Sequence, residues 1–496
     1  MIKLFNTMGG KIEPFRPLQE GTVKLYTCGP TVYDFAHIGN YRAYMFEDLL
    51  KRFLLFMGYD VTHVMNITDV DDKTIKGANA QGLSLTEYTD KYIQGFFAGL
   101  EILNIAKADY YPRATENIQE MADMVKGLYE KGFAYEKEGN YYFDISKFGD
   151  YGKLSNIDQR ELRTGVRIDL DEYEKESVRD FALWKAKKEE EPYWETVIGP
   201  GRPGWHIECS VMSSKYLGDT FDIHCGGVDN IFPHHENEIA QSEAFTGKKF
   251  VNYWLHCQHL IRDNQKMSKS RGNIITVEEL IENHQADPSA IRLLLLSTHY
   301  RKMLNFTFEA LDQAKASLDR INNFLYDLSN TKLEDGETSE AFALAENMVQ
   351  DFIDGLSDDL NISVALSALF EMIRKANTML SDGQILKKDA EKFASVIKSI
   401  DQVIAVVTFP ENIKFEKRIM KLKGRIHASS KITGHISYEK KEETLAIEVK
   451  GKINLREKAR GEKNFELADQ IRDELLKKGI VLEDAKDGVR WKIIKK

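Results

Sequence analysis

Several short stretches of this chain bring together side chains that can do chemistry. In Pro233-His234-His235-Glu236-Asn237-Glu238, His234 and Glu238 are four apart, so a helix would place them on one face. Zinc takes imidazole nitrogen, carboxylate oxygen and thiolate sulfur in tetrahedral sites, and Cys28 and Cys209 could complete a set of four. On spacing alone such pairs more often decorate exposed helices, and single cysteines are more often small buried hydrophobes. A second pattern, His37-Ile38-Gly39-Asn40, stands where a loop enters a helix. Unpaired N–H groups and a partial positive charge there can seat phosphate, His37 can add a donor, and Gly39 lets a nucleotide approach the backbone. A third, Lys266-Met267-Ser268-Lys269-Ser270, carries two lysines three residues apart on a polar loop, within reach of one polyphosphate.

These groups need a scaffold. Residues 23–28 and 61–67 read as strands, with a helix over 40–57 closed by Gly58 between them. Residues 220–224 and 253–256 are also strand-like, with a helical 233–244 between. This alternation predicts a mostly parallel sheet covered by helices. Ligands of such sheets bind at the carboxyl ends of the strands, where Cys28-Gly29-Pro30-Thr31, Thr68-Asp69 and His224-Cys225-Gly226-Gly227 fall. Residues 111–200, with a hairpin-like aromatic run over 133–143, interrupt the rhythm as an insertion, and apolar residues at three- and four-residue spacing make 311–410 helical. The expected division is therefore 1–110 and 201–310 as halves of one α/β domain, 111–200 inserted, 311–410 a helical bundle, and 411–496 a small basic domain.

The 496 residues exceed one hydrophobic core. No apolar run approaches the roughly 18 residues of a membrane span, and the opening MIKLFNTMGGKIEPF lacks the layout of a secretory signal. Four cysteines without a CxxC pair predict reduced thiols and a cytoplasmic protein. The net charge of -10 is unevenly spread: from residue 411 onward there are 23 Lys and Arg against 15 Asp and Glu, leaving 45 against 63 before it. A basic tail on an acidic body permits a polyanion to dock there; a solvated helical surface would carry the same charge.

The His37–Asn40 and Lys266–Ser270 runs together resemble the HIGH and KMSKS signatures of class I aminoacyl-tRNA synthetases. YTCGPTVYDFAHIGN, MNITDVDDK, GRPGWHIECS and FPHHENEIAQSEA are similar to segments of the cysteinyl-tRNA synthetase family, and NFELADQIRDELLKKGIVLED is a looser match near the C-terminus. The resemblance implies a Rossmann-like catalytic domain with a connective insertion, a helical bundle and an anticodon-reading C-terminal domain. It implies zinc ligands Cys28, Cys209, His234 and Glu238, one ion per chain. It implies ATP, with Mg²⁺, held by His37, Gly39, Asn40, Lys266 and Lys269, of which all but Gly39 act in catalysis. Thr68, Trp205, His224 and Asp229 would shape the amino-acid pocket, Asp229 pairing with the substrate ammonium. The partners implied are L-cysteine, ATP and cysteine-specific tRNA, with no membrane, and the chain is expected to be a monomer. Asn40 departs from the HIGH pattern, where a second histidine stands. Cys225 and Cys257 lie outside the family's ligand set and are expected to be buried filler. A cysteine-activating ligase that uses a small amine as acceptor, and a non-catalytic tRNA-binding relative, are the alternatives. The basic tail speaks against the first, and His37, Lys266 and Lys269 against the second.

Overall fold

The computed structural model describes residues 1–156, 180–189, 191–267, 271–415 and 472, with the strands Ile480–Ala485 and Gly488–Ile493. Its centre is a four-stranded parallel sheet made of β1 (Thr22–Thr27), β2 (Asp60–Met65), β3 (Phe221–Gly227) and β4 (Val251–Cys257), in the order β4-β3-β1-β2. The strands are buried on both faces, which is why they read as apolar runs. Register places Tyr26 opposite His224, and His224 opposite Trp254.

Because successive side chains point to opposite faces, this register sorts the sheet's residues in two. Leu25, Ile223, Cys225, Leu255 and Cys257 enter the large apolar core together with helix α1 (Ile38–Phe56). Tyr26 and Trp254 lie on the other face in a separate cluster that includes Cys209 and the edge of Cys28. Helix α1 starts at Ile38, two residues earlier than its apolar periodicity suggests, because His37 and Asn40 cap it reciprocally. It is buried almost all round, so its charged residues need internal partners. Asp48 takes hydrogen bonds from Arg52 and Arg292, and Arg292 also donates to the carbonyls of Leu103, Asn104 and Ile404.

Between the two halves of the parallel sheet, strands Ala134–Lys137, Asn140–Phe143, Phe181–Ala186 and Gly201–Pro203 form an antiparallel sheet in that order. The last strand turns at Gly204 directly into α2 (Trp205–Leu217). A Cβ on Gly204 would sit 2.1 Å from the Ala182 carbonyl oxygen, so only glycine lets the strand and the helix start this close. A short turn, Ile231–His235, leads into α3 (Glu236–Thr246). Helices Phe308–Asn330, Ser339–Ser357, Ile362–Ser381 and Lys387–Ile404 follow, with their apolar stripes inside the same large core. No helix among the described residues is long and apolar enough to cross a membrane. The chain divides into two compact units, Met1–His427 and Ala428–Lys496. In the second, the strands Ile480–Ala485 and Gly488–Ile493 form an antiparallel hairpin.

Candidate active site

Four elements converge on the face of the sheet opposite α1. Cys28 follows the last residue of β1, and Trp205, Glu208 and Cys209 share one stripe of α2. His234 is the next-to-last residue of the turn before α3, and Glu238 lies in the first turn of α3. The donor atoms of Cys28, Cys209, His234 and Glu238 all lie within 4.8 Å of one another. Glu238 is fully buried. Its Oε2 is 3.0 Å from His224 Nε2, whereas Oε1, 3.1 Å from His234 Nε2, makes no hydrogen bond. A buried carboxylate oxygen left this way is costly unless a cation is meant to meet it. Two sulfurs, an imidazole and a carboxylate are a zinc donor set, and the residues present fit that ion.

Around these donors stand histidines that sequence reasoning passed over. His206 Nδ1 is 2.9 Å from His234 Nδ1, and His235 Nδ1 is 2.8 Å from His256 Nε2, whose Nδ1 meets Thr7 Oγ1 at 2.7 Å. These contacts occupy Nδ1 of His234 and of His235 and leave the Nε2 of each toward Glu238. Burial holds His206 and His256 well below the ordinary imidazole range, so both are neutral at pH 7. Burial raises the Cys28 thiol, but hydrogen bonds from Cys209, His234 and His235 outweigh it and hold Cys28 well below the usual thiol value. The hydrogen bond to Cys28 and burial push Cys209 well above it.

The proposed pocket residues lie at different depths. His224 is buried at the floor, stacked on Trp254 and bonded to Glu238. Trp205 stacks on His234 with ring centres 4.1 Å apart. The Thr68 hydroxyl is buried and donates to Glu208 Oε2 at 2.8 Å. Asp229 is at the rim, its side chain 69% exposed and paired with His259 at 3.3 Å. The hydrogen bond from His259, with a smaller contribution from Lys266, holds its carboxyl below the usual range. Cys225 and Cys257 point away into the α1 core, where burial pushes both thiols up, Cys257 to about 11.

His37, Gly39 and Asn40 form the start of α1. His37 Nδ1 accepts from the Gly39 N–H, and Asn40 Oδ1 accepts from the His37 N–H. Lys266 is exposed and ends a small hairpin, Leu260–Arg262 with Gln265–Lys266, whose turn residues Asp263 and Asn264 have φ of 50° and 60°. The chain beyond it returns to pair with the helix start: the Ile38 N–H donates to the Ile275 carbonyl. A Cβ on Gly39 would come within 2.7 Å of the Met267 methyl, the flexible end of that side chain, and within 2.9 Å of the His37 ring. Lys269 lies outside the described residues.

Residues 14–316 match the family described as tRNA synthetases class I (C) catalytic domain, and 351–408 match the DALR domain. The Cysteine--tRNA ligase of Koribacter versatilis (strain Ellin345) is 45% identical, covering 99% of both chains. That of Protochlamydia amoebophila (strain UWE25) is 43% identical over 99% of this chain and 98% of its own. Among solved structures, Mycobacterium tuberculosis methionyl-tRNA synthetase in complex with methionyl-adenylate aligns with a TM-score of 0.61 at 17% identity, covering 77% of this chain and 92% of that one; it shares the fold.

Proposed function

The chain belongs to the cysteine--tRNA ligase family of class I tRNA synthetases and is an aminoacyl-tRNA ligase, and from that premise we propose that it selects cysteine through a zinc ion held by Cys28, Cys209, His234 and Glu238. The observation that carries this reading is the convergence of those four donors, one of them a buried carboxylate with an oxygen left over. Zinc bound there, one per chain, would favour a substrate sulfur over a serine oxygen because coordination lowers a thiol's pKa far enough to ionise it. Shape alone separates such near-isosteres poorly. Discrimination of about 10⁴ needs only about 5.5 kcal/mol, so no proofreading domain is required.

The chain's own residues do the rest by positioning and charge. Asp229 accepts hydrogen bonds from the substrate ammonium at the pocket rim, exchanging its present partner His259. Trp205 and the bonded pair Thr68–Glu208 form the walls, and His224 the floor. In activation the cysteine carboxylate attacks the ATP α-phosphorus in line; the new C–O–P linkage forms as the Pα–O–Pβ bond breaks and pyrophosphate leaves. His37, Gly39 and Asn40 receive phosphate at the start of α1, Lys266 and Lys269 offset the charge on the leaving group, and Mg²⁺ accompanies ATP. The aminoacyl group then passes to the terminal ribose of cysteine-specific tRNA, read by a C-terminal domain over 411–496. A basic tail and relatives matched over almost their whole length favour tRNA over a small-amine acceptor. A cytoplasmic, monomeric enzyme completes the proposal.

The test is metal analysis of the purified chain beside cysteine-dependent ATP–pyrophosphate exchange. One zinc per chain, with exchange abolished by its removal and restored by its return, is the expected result. Full exchange by metal-free protein would refute the selection mechanism.

A further inference from the structure

The pocket assembles a second set of four donors. Cys28 and Glu238 belong to both sets; Cys209 and His234 complete one, and His224 and His235 complete the other, again with all donor atoms within 4.8 Å of one another. Tetrahedral bonds of about 2.0–2.3 Å put neighbouring donors about 3.3–3.8 Å apart. His235 Nε2 is 3.2 Å from Cys28 Sγ and 3.9 Å from Glu238 Oε1, and His224 Nε2 is 3.0 Å from Glu238 Oε2. With Glu238 offering Oε2, the His224–Glu238 and His235–Cys28 separations lie close to tetrahedral edges.

The outer contacts of this second set are those of ligating histidines, whose remaining nitrogen is held by a carbonyl or another polar group. The Nδ1 of His224 faces the Cys225 carbonyl at 3.2 Å, and the Nδ1 of His235 meets His256. Both rings are fully buried and present Nε2 toward Glu238. Charge gives the second set an advantage of its own. One thiolate and one carboxylate balance a divalent cation, whereas two thiolates and a carboxylate leave one negative charge in a dry pocket. The first set gains a zinc–sulfur bond; the second gains neutrality.

We propose that Cys28, His224, His235 and Glu238 form a second metal site, which retains zinc when Cys209 or His234 is lost. The proposal rests on the reading of this pocket as a zinc centre and enlarges it: the ion has two seats sharing a sulfur and a carboxylate. Cysteine loss at position 209 then costs selectivity and affinity without emptying the pocket.

Zinc content and Co²⁺ absorption spectra of the full chain decide it, measured for the unaltered protein, Cys209→Ala, His234→Ala, His224→Ala and Cys209→Ala/His224→Ala. Each single variant is expected to hold about one metal ion, with the thiolate-to-Co²⁺ absorption of Cys209→Ala about half that of the unaltered chain, since one sulfur remains. The double variant should hold less than about one-tenth of an ion under the same dialysis. Loss of zinc from both Cys209→Ala and His234→Ala while the unaltered chain keeps it would overturn the second site, as would a double variant that binds as well as Cys209→Ala. Should Cys209→Ala fail to fold, His234→Ala alone and paired with His224→Ala poses the same question. An unaltered chain without zinc would instead strike at the zinc reading itself.

Discussion

The two ends of the candidate site are built on opposite plans. At the metal end, Cys209, His224, His234, His235 and Glu238 are buried, and the rings of His224, His234 and His235 are held by other side chains or a carbonyl, while Glu238 Oε1 is left without a hydrogen bond. At the nucleotide end Asn40 and Lys266 are exposed, and the contacts that define the place are mostly backbone ones between the helix start and the returning loop. Under the proposed function the comparison separates two tasks. Telling sulfur from oxygen demands donors fixed before the substrate arrives, because binding energy spent on ordering them would be lost to discrimination. Holding a polyphosphate demands positive charge that can follow the phosphates as they separate.

The largest effect that could break this contrast is expected at the metal end. Cys28→Ala removes the one sulfur common to both donor sets, so metal content and cysteine-dependent exchange should both vanish to background. Retention of stoichiometric zinc by this variant would show that the buried cluster is a hydrogen-bonded core and no metal centre. At the other end Lys266→Ala should slow exchange by about 10²-fold, in line with loss of one preorganised positive group. Zinc content and thermal midpoint should stay as they were. A fall in zinc with that substitution would mean the two ends are not separable.

An acid titration sharpens the same contrast. Burial lowers the pKa of His206 and His256 in the folded chain below their unfolded value of about 6.5. Their contribution to stability is therefore fully present above that pH. It is lost as pH falls, because the unfolded state then binds protons that the native state refuses. The metal-stripped chain should lose thermal stability steadily between about pH 7 and pH 5, and His256→Asn should flatten that slope. An unchanged slope would place the pH sensitivity elsewhere, for instance at His63, which is also buried and held low.

What the sequence disclosed follows the same division. The strand–helix alternation, Cys28 at a strand end, and the four-residue spacing of His234 and Glu238 are local patterns, and local patterns are legible in one dimension. His206, His235 and His256 were not, because their meeting depends on α2, the turn Ile231–His235 and β4 being gathered by a sheet whose register sets Tyr26 beside His224, 198 positions away. Period-two counting along each strand could have found one of them: His256 shares parity with Trp254, His224 with Trp254 across the register, and Tyr26 with Cys28 along β1. Asn40 illustrates the reverse. Its departure from the HIGH pattern was legible, but its hydrogen bond with the His37 N–H, which fixes where the helix begins, needed coordinates.

The smallest expected effect tests the parity argument itself. Cys225 and Cys257 are buried cysteines within a few residues of the metal cluster, yet the pleat turns both toward α1, among Leu25, Ile223 and Leu255. They should therefore behave as small apolar side chains. Cys225→Ala and Cys257→Ala each remove one buried sulfur from a packed core and should cost about 1 kcal/mol of stability. Metal content and the Co²⁺ spectrum should be untouched, because neither sulfur can reach the ion without turning its strand over. Chemical denaturation and metal analysis of the two variants read these quantities separately. A spectrum altered in the thiolate region by Cys225→Ala would mean that the side chain after His224 reaches the pocket, and the register assigned to β1, β3 and β4 would have to be shifted by one residue.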